Sequence, residues 1–367
     1  MIEVGETYIV AEIGVNHNGS FGVAKDLVYK AKSAGANAVK FQTFKAESLA
    51  STSVSLADYQ IKNTGRVQKQ VDMLKSLELS YDDFKQLYKY CCDLNIDFIS
   101  SPFDVSSAEL LLNLGLKVIK VGSGELLNLE LLWFLANAKA DIILSTGMAN
   151  LGDVELALAT IDHALNYSSP PSSLKEIFDC RSKLRNESQI FRKVTLLHCN
   201  SSYPTSSEQV NLRAIETLRK SFGLQVGFSD HSEGDLACLG AVMLNARIIE
   251  KHLTLNKEMA GPDHLVSLEP EEFKSLCEKI RVLEKMQGDG LKIPFEEELR
   301  TRKVVGRKLV TSRKVAKGEL WTKDNLTSLR SEKGVEAKFY WDILHTPAQK
   351  EYFPLEELEK SEGNNGF

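Results

Sequence analysis

The sequence predicts an α/β fold, a (β/α)8 TIM barrel followed by a small mostly-β domain. Eight short apolar segments alternate with amphipathic helices, and this alternation favours a parallel sheet. Each apolar segment ends in polar residues, which is typical of barrel strands whose carboxyl ends carry a functional site. After residue 287 the pattern changes to short segments separated by turns.

The elements follow one another regularly along the chain. Gly35 marks the end of the first helix, and Ser80 is a predicted N-cap for the helix that runs through Cys92. An open doubly wound sheet is the alternative, but its first turn would normally read G-x-G-x-x-G, whereas here it reads GVNHNGS. The predicted strands are 8–14, 38–44, 98–104, 118–124, 142–148, 195–203, 226–231 and 248–255, and the other predicted helices are 70–77, 106–114, 129–138, 153–165, 211–222, 236–244 and 270–286.

The predicted domain organisation has four parts. The barrel spans 1–287, with a Ser/Pro-rich and then charged insertion at about 167–193 that we expect on the surface, without a catalytic role. A linker that includes a short helix, at 288–304, leads to the small domain at 305–360, and a disordered tail is expected at 361–367.

Composition restricts the classes of partner. With 43% hydrophobic residues, a net charge of −5 and no basic block, the chain suggests neither nucleic acid nor a membrane surface as a partner. The N-terminus lacks the pattern of a signal peptide, and the six cysteines include no C-x-x-C pair. We therefore expect a cytoplasmic protein with reduced thiols.

Charged residues inside the predicted strands are candidates for a functional site. Glu12, Lys40, Lys120 and Glu250 would be costly to bury without partners or a ligand. Two lysines together with several small hydroxyl groups and Gly-rich turns favour a phosphate or carboxylate subsite.

Two histidines end neighbouring predicted strands. His231 and His252 therefore reach one rim, where two imidazoles suit a divalent metal with an open coordination position. A pair of hydrogen-bonded core histidines is the alternative. His198 lies deeper in its strand, and we interpret it as structural.

Several motifs, spread in order over residues 8–270, resemble the sialic acid synthase family, which makes nine-carbon nonulosonic acids. They are AEIGVNHNGS, AVKFQTF, SSPFD, KVGSGE, ILSTGM, GFSDHS, IIEKHLTL and GPDH. The tail segment GRKLVTSRKVAKGELWTKDNLTSLR resembles the antifreeze-like (SAF) domain of the same family. The first turn and KFQTF resemble the neuraminate/legionaminate branch more than the pseudaminate branch.

The resemblance implies an enzyme that condenses phosphoenolpyruvate with N-acetylmannosamine or a close 6-deoxy-2,4-diacetamido relative and releases phosphate. It implies that His231 and His252 bind a divalent metal, Mn²⁺ or Mg²⁺, and that Glu125 handles the attacking water. It further implies a domain-swapped homodimer in which Arg330 reaches the site of the second copy. The positions that match phosphate or carboxylate contacts are Lys40, Lys120, Ser123, Ser145, Ser229 and either Asn200 or Ser201, and those that match sugar contacts are Glu12, Gln42, Asn63, Tyr203 and Asp263.

Two other functions remain possible from the residues alone. A Schiff-base aldolase would use Lys40 or Lys120 as its amine nucleophile, after burial had lowered the lysine pKa. A barrel that binds a sugar without catalysis would use the same rim and the small domain as a docking module.

Overall fold

The computed structural model describes residues 6–51, 53–57, 60–61, 68–184 and 189–363. Two compact units divide the chain, Met1–Gly288 and Asp289–Phe367.

The first unit is built on eight parallel strands. Along the sheet they follow the order β3-β2-β1-β8-β7-β6-β5-β4, and β3 and β4 also lie in contact, so the sheet is a nearly closed barrel. The predicted (β/α)8 barrel is therefore confirmed, and the open doubly wound alternative is wrong. The strands are β1 Tyr8–Gly14, β2 Ala38–Thr43, β3 Asp97–Pro102, β4 Val118–Val121, β5 Asp141–Ser145, β6 Val194–Cys199, β7 Gln225–Asp230 and β8 Ile248–His252.

Helices cover the outside of the barrel, and many begin at a polar N-cap. Ser80 accepts from the backbone amide of Asp83, whose carboxylate accepts in return from the amide of Ser80. The main hydrophobic core lies between these helices and the strands. The helices of this unit are α1 Phe21–Ala34, α2 Ala46–Leu49, α3 Gln70–Leu77, α4 Tyr81–Asp93, α5 Val105–Asn113, α6 Leu129–Asn137, α7 Leu151–Asn166, α8 Leu174–Leu184, α9 Ile190–Lys193, α10 Ala214–Phe222, α11 Leu236–Met243 and α12 Pro270–Gln287.

Along each strand, the inward-facing side chain changes from apolar at one position to polar two residues later. A cluster of inward-facing apolar side chains forms one layer across the barrel. Because side chains alternate along a strand, the residue two positions later also points inward, one layer closer to the carboxyl end. These residues are Glu12 after Val10, Lys40 after Ala38, Ser101 after Ile99, Lys120 after Val118, Ser145 after Ile143, Cys199 after Leu197, Ser229 after Gly227 and Glu250 after Ile248.

The insertion forms a helical layer on the outside. Helix α8 packs on α7, and the Arg181 guanidinium pairs with the fully buried Asp162 carboxylate. None of the described insertion residues lines the cavity at the carboxyl rim. Across the described parts of the chain, no helix has the length and apolarity to cross a membrane.

The second unit contains helix α13 Glu296–Val305 and an antiparallel pair, β9 Arg307–Thr311 and β10 Leu326–Arg330. Helix α13 corresponds to the short helix expected within the linker segment. Short bridges, 3₁₀ turns and the helix α14 Tyr340–Ile343 make up much of the rest.

The tail begins with ordered residues, contrary to the prediction of disorder from 361. Residues Lys360–Gly363 form a 3₁₀ helix, in which the buried Glu362 carboxylate accepts hydrogen bonds from Trp321 and Tyr352. Those contacts come from distant parts of the unit, so the polar composition of the tail did not reveal them. Residues 364–367 lie outside the described chain.

Candidate active site

A cavity of about 550 Å³ opens at the carboxyl ends of the strands, a size that suits a small-molecule site. Its lining brings together most of the site residues that the sequence predicted. These are Glu12, Lys40, Gln42, Lys120, Ser123, Glu125, Ser145, Ser201, Tyr203, Ser229, His231, His252 and Asp263.

Opposite charges alternate across the cavity floor. The Lys40 ammonium lies 2.9 Å from a Glu12 carboxylate oxygen and 3.6 Å from the Glu250 carboxylate. The Lys120 ammonium lies 3.9 Å from Glu250 on the other side. All four side chains are nearly fully buried, so water screens their charges little and a bound anion would interact with them strongly.

Strand register explains why the charges meet. Glu12 is level with Lys40 on one side and with His252 on the other, and Ser229 is level with Glu250. Level residues of parallel strands point to the same face, so their side chains share one layer. At the end of β1, Gly14 has φ +53°, and a Cβ there would lie 2.8 Å from the Glu12 carboxylate. Glycine therefore leaves room for the Glu12 side chain.

Burial and the neighbouring charges shift the pKa values of this cluster in different directions. Burial raises the pKa of Glu12 to about 7, although Lys40 opposes the shift. Burial alone would lower the pKa of Lys40, but Glu12 and then Glu250 raise it above its usual value. Burial lowers the pKa of Lys120, and Glu250 only partly offsets that effect. The two lysines are therefore not equivalent, because Lys40 is held as a cation more firmly than Lys120.

Serine hydroxyls surround the Lys120 end of the cavity. Lys120 donates to the Ser145 hydroxyl at 2.7 Å. A Cβ on Gly147 would lie 2.5 Å from the Ser201 hydroxyl and 2.6 Å from the Ser123 hydroxyl, so both hydroxyls converge on the space that this glycine leaves open. Donors that converge beside a buried lysine suit a phosphate or carboxylate group.

The structure separates the two adjacent candidates at 200 and 201. The Asn200 side chain donates to the Gln209 carbonyl at 2.9 Å, and Asn200 is not among the described residues that line this cavity. Ser201 does line it. Of the two, Ser201 is therefore the one that faces this cavity.

His231 and His252 lie side by side at the rim, with ring centroids 5.3 Å apart. The His231 Nδ1 atom donates to the Asn200 carbonyl, so a cation could bind this ring only at Nε2, after loss of the proton there. Burial alone would lower the pKa of His231, but Cys199 and the Asn200 carbonyl raise it above its usual value. Burial, followed by the charge of His231, holds the pKa of His252 well below its usual value, and its Nδ1 atom is buried without a hydrogen-bond partner. The pair fits a cation with open coordination positions. Within the described residues, however, no group of three or more His, Cys, Asp or Glu side chains forms a metal cluster.

The other predicted contacts lie around this rim. Glu125 accepts from Asn128 at 2.7 Å, and Gln42 donates to Glu12 at 3.4 Å. The Tyr203 ring stacks on His231 with centroids 4.0 Å apart, and Asp263 lies 3.9 Å from the His252 ring nitrogen. Polar groups thus surround the upper part of the cavity as well as its floor.

Three further residues are not among the described residues that line the cavity. Asn63 falls outside the described residues. Arg330 ends strand β10 in the second unit and is exposed. His198 lines no described part of the cavity, and its Nε2 bonds to the Val210 carbonyl at 2.7 Å, which agrees with its interpretation as structural.

Sequence reasoning left two features without a role. Glu250 contacts Lys40, Lys120 and Ser229. Its position two residues before His252, on the same face of one strand, was the signal in the sequence that it belongs to the site. The second feature is the apolar stripe of helix α3, which lines one side of the cavity. Its helical period also fits ordinary core packing, so the sequence alone could not distinguish the two.

A second depression, of about 740 Å³, lies beside the cavity between residues 204–212 and 232–237. Its described lining contains Glu208 and Glu233 but no lysine or arginine. It is therefore less suited to an anionic ligand than the charged cavity.

The parallel barrel, with its buried lysines, carboxylates and histidines in one cavity at the carboxyl rim, defines a TIM-barrel enzyme. Residues 27–292 match the NeuB family, and the chain belongs to it. The N,N'-diacetyllegionaminic acid synthase of Campylobacter jejuni is 42% identical over 347 residues, covering 95% of this chain and 97% of the relative. The protein of the same name from Legionella pneumophila is 42% identical over 328 residues, covering 89% and 86%. The crystal structure of the N-acetylneuraminic acid synthetase of Leptospira borgpetersenii is 30% identical with a TM-score of 0.65, covering 81% and 92%.

Proposed function

We propose that this protein is a nonulosonic acid synthase that condenses phosphoenolpyruvate with an N-acetylmannosamine-type sugar. The acceptor is N-acetylmannosamine or its 6-deoxy-2,4-diacetamido relative in the open-chain form, and the products are N-acetylneuraminate or legionaminate and phosphate. The observation that carries the proposal is the convergence of two buried lysines, several serine hydroxyls and two rim histidines in one cavity. The names of the relatives support the class of product.

The lysine–serine end of the cavity is the proposed site for phosphoenolpyruvate. Lys120, Ser145, Ser123 and Ser201 supply a cation and hydroxyl donors for its anionic groups. Ser229 is a further proposed contact from its match to the family, and in the structure its hydroxyl donates to Glu250 at 2.8 Å. Binding of the substrate anion offsets the cost of keeping two ammonium groups in a buried site.

The carboxylates have separate proposed roles. Glu12, with a pKa raised to about 7 by burial, is poised to exchange a proton near neutral pH at the sugar end of the cavity. Glu125 at the rim is placed to orient the attacking water. Gln42, Tyr203 and Asp263 position the sugar, and Asn63 is an additional proposed contact from its match to the family.

The proposed metal ligands are His231 and His252. Bound Mn²⁺ or Mg²⁺ would act as a Lewis acid that polarises the sugar aldehyde. The hydrogen bond from His231 to the Asn200 carbonyl orients that imidazole, and burial keeps His252 neutral. Both effects favour binding of a cation.

In the proposed reaction, carbon 3 of phosphoenolpyruvate attacks the aldehyde carbon, and a carbon–carbon bond forms. Water then adds at carbon 2, and phosphate leaves as the bond between carbon 2 and the bridging oxygen breaks. One phosphoenolpyruvate, one sugar and one water thus give one nine-carbon acid and one phosphate.

Phosphate release with manganese and either sugar tests this function. We expect release that needs the sugar and that stops with EDTA. Phosphoenolpyruvate labelled with ¹⁸O at the bridging position distinguishes the bond that breaks, because C–O cleavage sends the label into phosphate. No release with either sugar would contradict the proposal, and sugar binding without turnover would support a non-catalytic barrel.

A Schiff-base aldolase is the second candidate, and the lowered pKa of Lys120 favours it. Borohydride treatment with phosphoenolpyruvate and sugar present would reduce an imine to a stable adduct. Intact mass measurement before and after treatment detects such an adduct. We expect no adduct, and a substrate-dependent mass increase that disappears in Lys120→Arg would support the aldolase instead.

We further propose that residues 305–360 form an antifreeze-like (SAF) domain and that the protein acts as a domain-swapped homodimer. In this arrangement Arg330 reaches the site of the second copy and contacts the N-acetyl group of the sugar. The support is the match of its motif to the family and its exposed position at the end of β10.

A further inference from the structure

One face of helix α3 lines the cavity. Gln70, Met73, Leu74 and Leu77 occupy positions i, i+3, i+4 and i+7, which form a single stripe on a helix. Val71 lies on a different face and belongs to the apolar cluster behind the cavity, without lining it. Met73, Leu74 and Leu77 belong to the same cluster, so these side chains both pack the helix and line the cavity.

The stripe belongs to a larger apolar wall. We use this name for the stripe residues Met73, Leu74 and Leu77 together with their apolar neighbours Val15, Leu49, Ala57 and Phe103. Most of the wall residues belong to one hydrophobic cluster, separate from the main core. Met73, Leu74 and Leu77 are 4%, 9% and 6% exposed, so they are held by packing and present a fixed apolar surface.

The two sides of the cavity thus differ in chemistry. The floor carries lysines, carboxylates and serines, whereas the wall offers methyl, methylene and thioether groups. The amides of Gln60 and Gln70 are the polar groups that line the cavity next to the wall. A ligand that fills the cavity must place its charged end on the floor and apolar groups against the wall. A hydroxyl group placed against the wall would lose its hydrogen bonds with water and find few replacements.

We propose that the apolar wall makes the enzyme select 6-deoxy-2,4-diacetamido sugars over N-acetylmannosamine, with Met73 and Leu74 as specificity-determining residues. This inference rests on the proposed function. The 6-deoxy sugar carries a methyl group at carbon 6 and a second acetamido methyl at carbon 4. N-acetylmannosamine has hydroxyl groups at both places, and each of them favours water over the wall.

The expected discrimination is moderate. An apolar pocket rejects a substrate that merely adds a hydroxyl by roughly 10- to 100-fold. We therefore expect the kcat/KM of the diacetamido sugar to exceed that of N-acetylmannosamine by about this factor. Most of the difference should appear in the KM for the sugar, because the wall lies away from the charged floor.

The experiment measures phosphate release with three sugars at saturating phosphoenolpyruvate and manganese. They are N-acetylmannosamine, its 6-deoxy analogue and the 6-deoxy-2,4-diacetamido sugar, so the contributions of carbons 6 and 4 are separated. Met73→Gln keeps the side-chain length but adds an amide, and it should reduce the preference at least several-fold. Met286→Gln is the matched control, since Met286 is 74% exposed and lies outside the cavity lining.

The KM for phosphoenolpyruvate reports whether the Met73→Gln variant is intact, because its site lies on the floor. Met73→Leu keeps an apolar wall and should retain the preference. Equal kcat/KM for the three sugars in the wild type, or an unchanged preference in an intact Met73→Gln variant, would overturn the inference. No release with any sugar would instead contradict the proposed function. Calorimetric binding of the three sugars would then test the wall directly, and equal affinities would overturn it.

Discussion

Lys251 and Asp230 form an ion pair in the helix-facing layer of strands β7 and β8, outside the cavity. The Lys251 ammonium lies 2.9 Å from the Asp230 carboxylate, and the side chains are 0% and 1% exposed. Lys251 also donates to the Ser232 carbonyl, and Asp230 accepts from the amide and hydroxyl of Ser232 at 2.8 and 2.7 Å. The pair therefore holds the backbone on both sides of His231.

Replacing Lys251 by methionine keeps the side-chain length but leaves a buried carboxylate without a counter-charge. Removal of one partner from a buried pair costs about 3–5 kcal/mol. Asp230 retains its bonds from Ser232 and from the Cys238 thiol, so we expect a loss near the lower limit, about 3 kcal/mol. In the barrel transition this corresponds to a fall in Tm on the order of 5–10 °C.

Lys257→Met is the matched control. Lys257 lies 2.6 Å from Glu272, but these side chains are 34% and 48% exposed, so the pair contributes at most about 1 kcal/mol. Urea unfolding followed by circular dichroism measures both variants, with m compared to check that the transition is unchanged. The double variant Lys251→Met/Asp230→Asn removes the unpaired charge and should recover part of the loss.

Two outcomes would refute this reasoning. The first is a loss in Lys251→Met no larger than that in Lys257→Met. The second is a double variant that is no more stable than Lys251→Met. Either result would mean that the burial of the pair does not govern its contribution to stability.

Three further predictions concern pH, phosphoenolpyruvate and the dimer. Burial lowers the pKa of His17 from 6.5 to about 4. Its neutral imidazole therefore contributes fully to the free energy of unfolding above pH 6.5, and this contribution is lost as pH falls towards 4. Wild type should lose about 2 kcal/mol more than His17→Asn between pH 7 and pH 5 in urea unfolding. Gly147→Ala should raise the KM for phosphoenolpyruvate roughly 10-fold, because its Cβ would displace two serine hydroxyls, whereas Gly22→Ala, with space around its Cβ, should not. Arg330→Ala should raise the sugar KM. Mixing this variant with inactive Lys120→Met under subunit exchange should restore activity. In the mixed dimer, one site combines the intact Lys120 of the first subunit with the intact Arg330 of the second.

Different results would contradict each of these predictions. Equal acid sensitivity of wild type and His17→Asn would exclude a dominant role for that imidazole. An unchanged phosphoenolpyruvate KM in Gly147→Ala would show that the hydroxyls do not converge on the substrate. The absence of recovery in mixed subunits, with exchange verified by mass spectrometry, would contradict the domain swap.

Much of the barrel was predictable because its signals are local. Apolar segments, glycine stops and polar N-caps such as Ser80 act within a few residues, so the alternation of strands and helices could be recognised without tertiary contacts. Charges such as Lys40 and Lys120 drew attention for the same reason, because each stands in an otherwise apolar strand. Their convergence followed from the geometry of a barrel.

The sequence by itself determined the eight strand–helix units, their polar rim and the charges that the barrel would bury. Only the tertiary structure decided that Glu250 lies between two lysines, that Ser201 rather than Asn200 faces the cavity, and that the stripe of helix α3 lines it. It also decided that Glu362 is held by Trp321 and Tyr352. The physical reason is that these outcomes depend on strand register and on contacts between residues far apart in the chain, whereas periodicity and capping act over one or two turns.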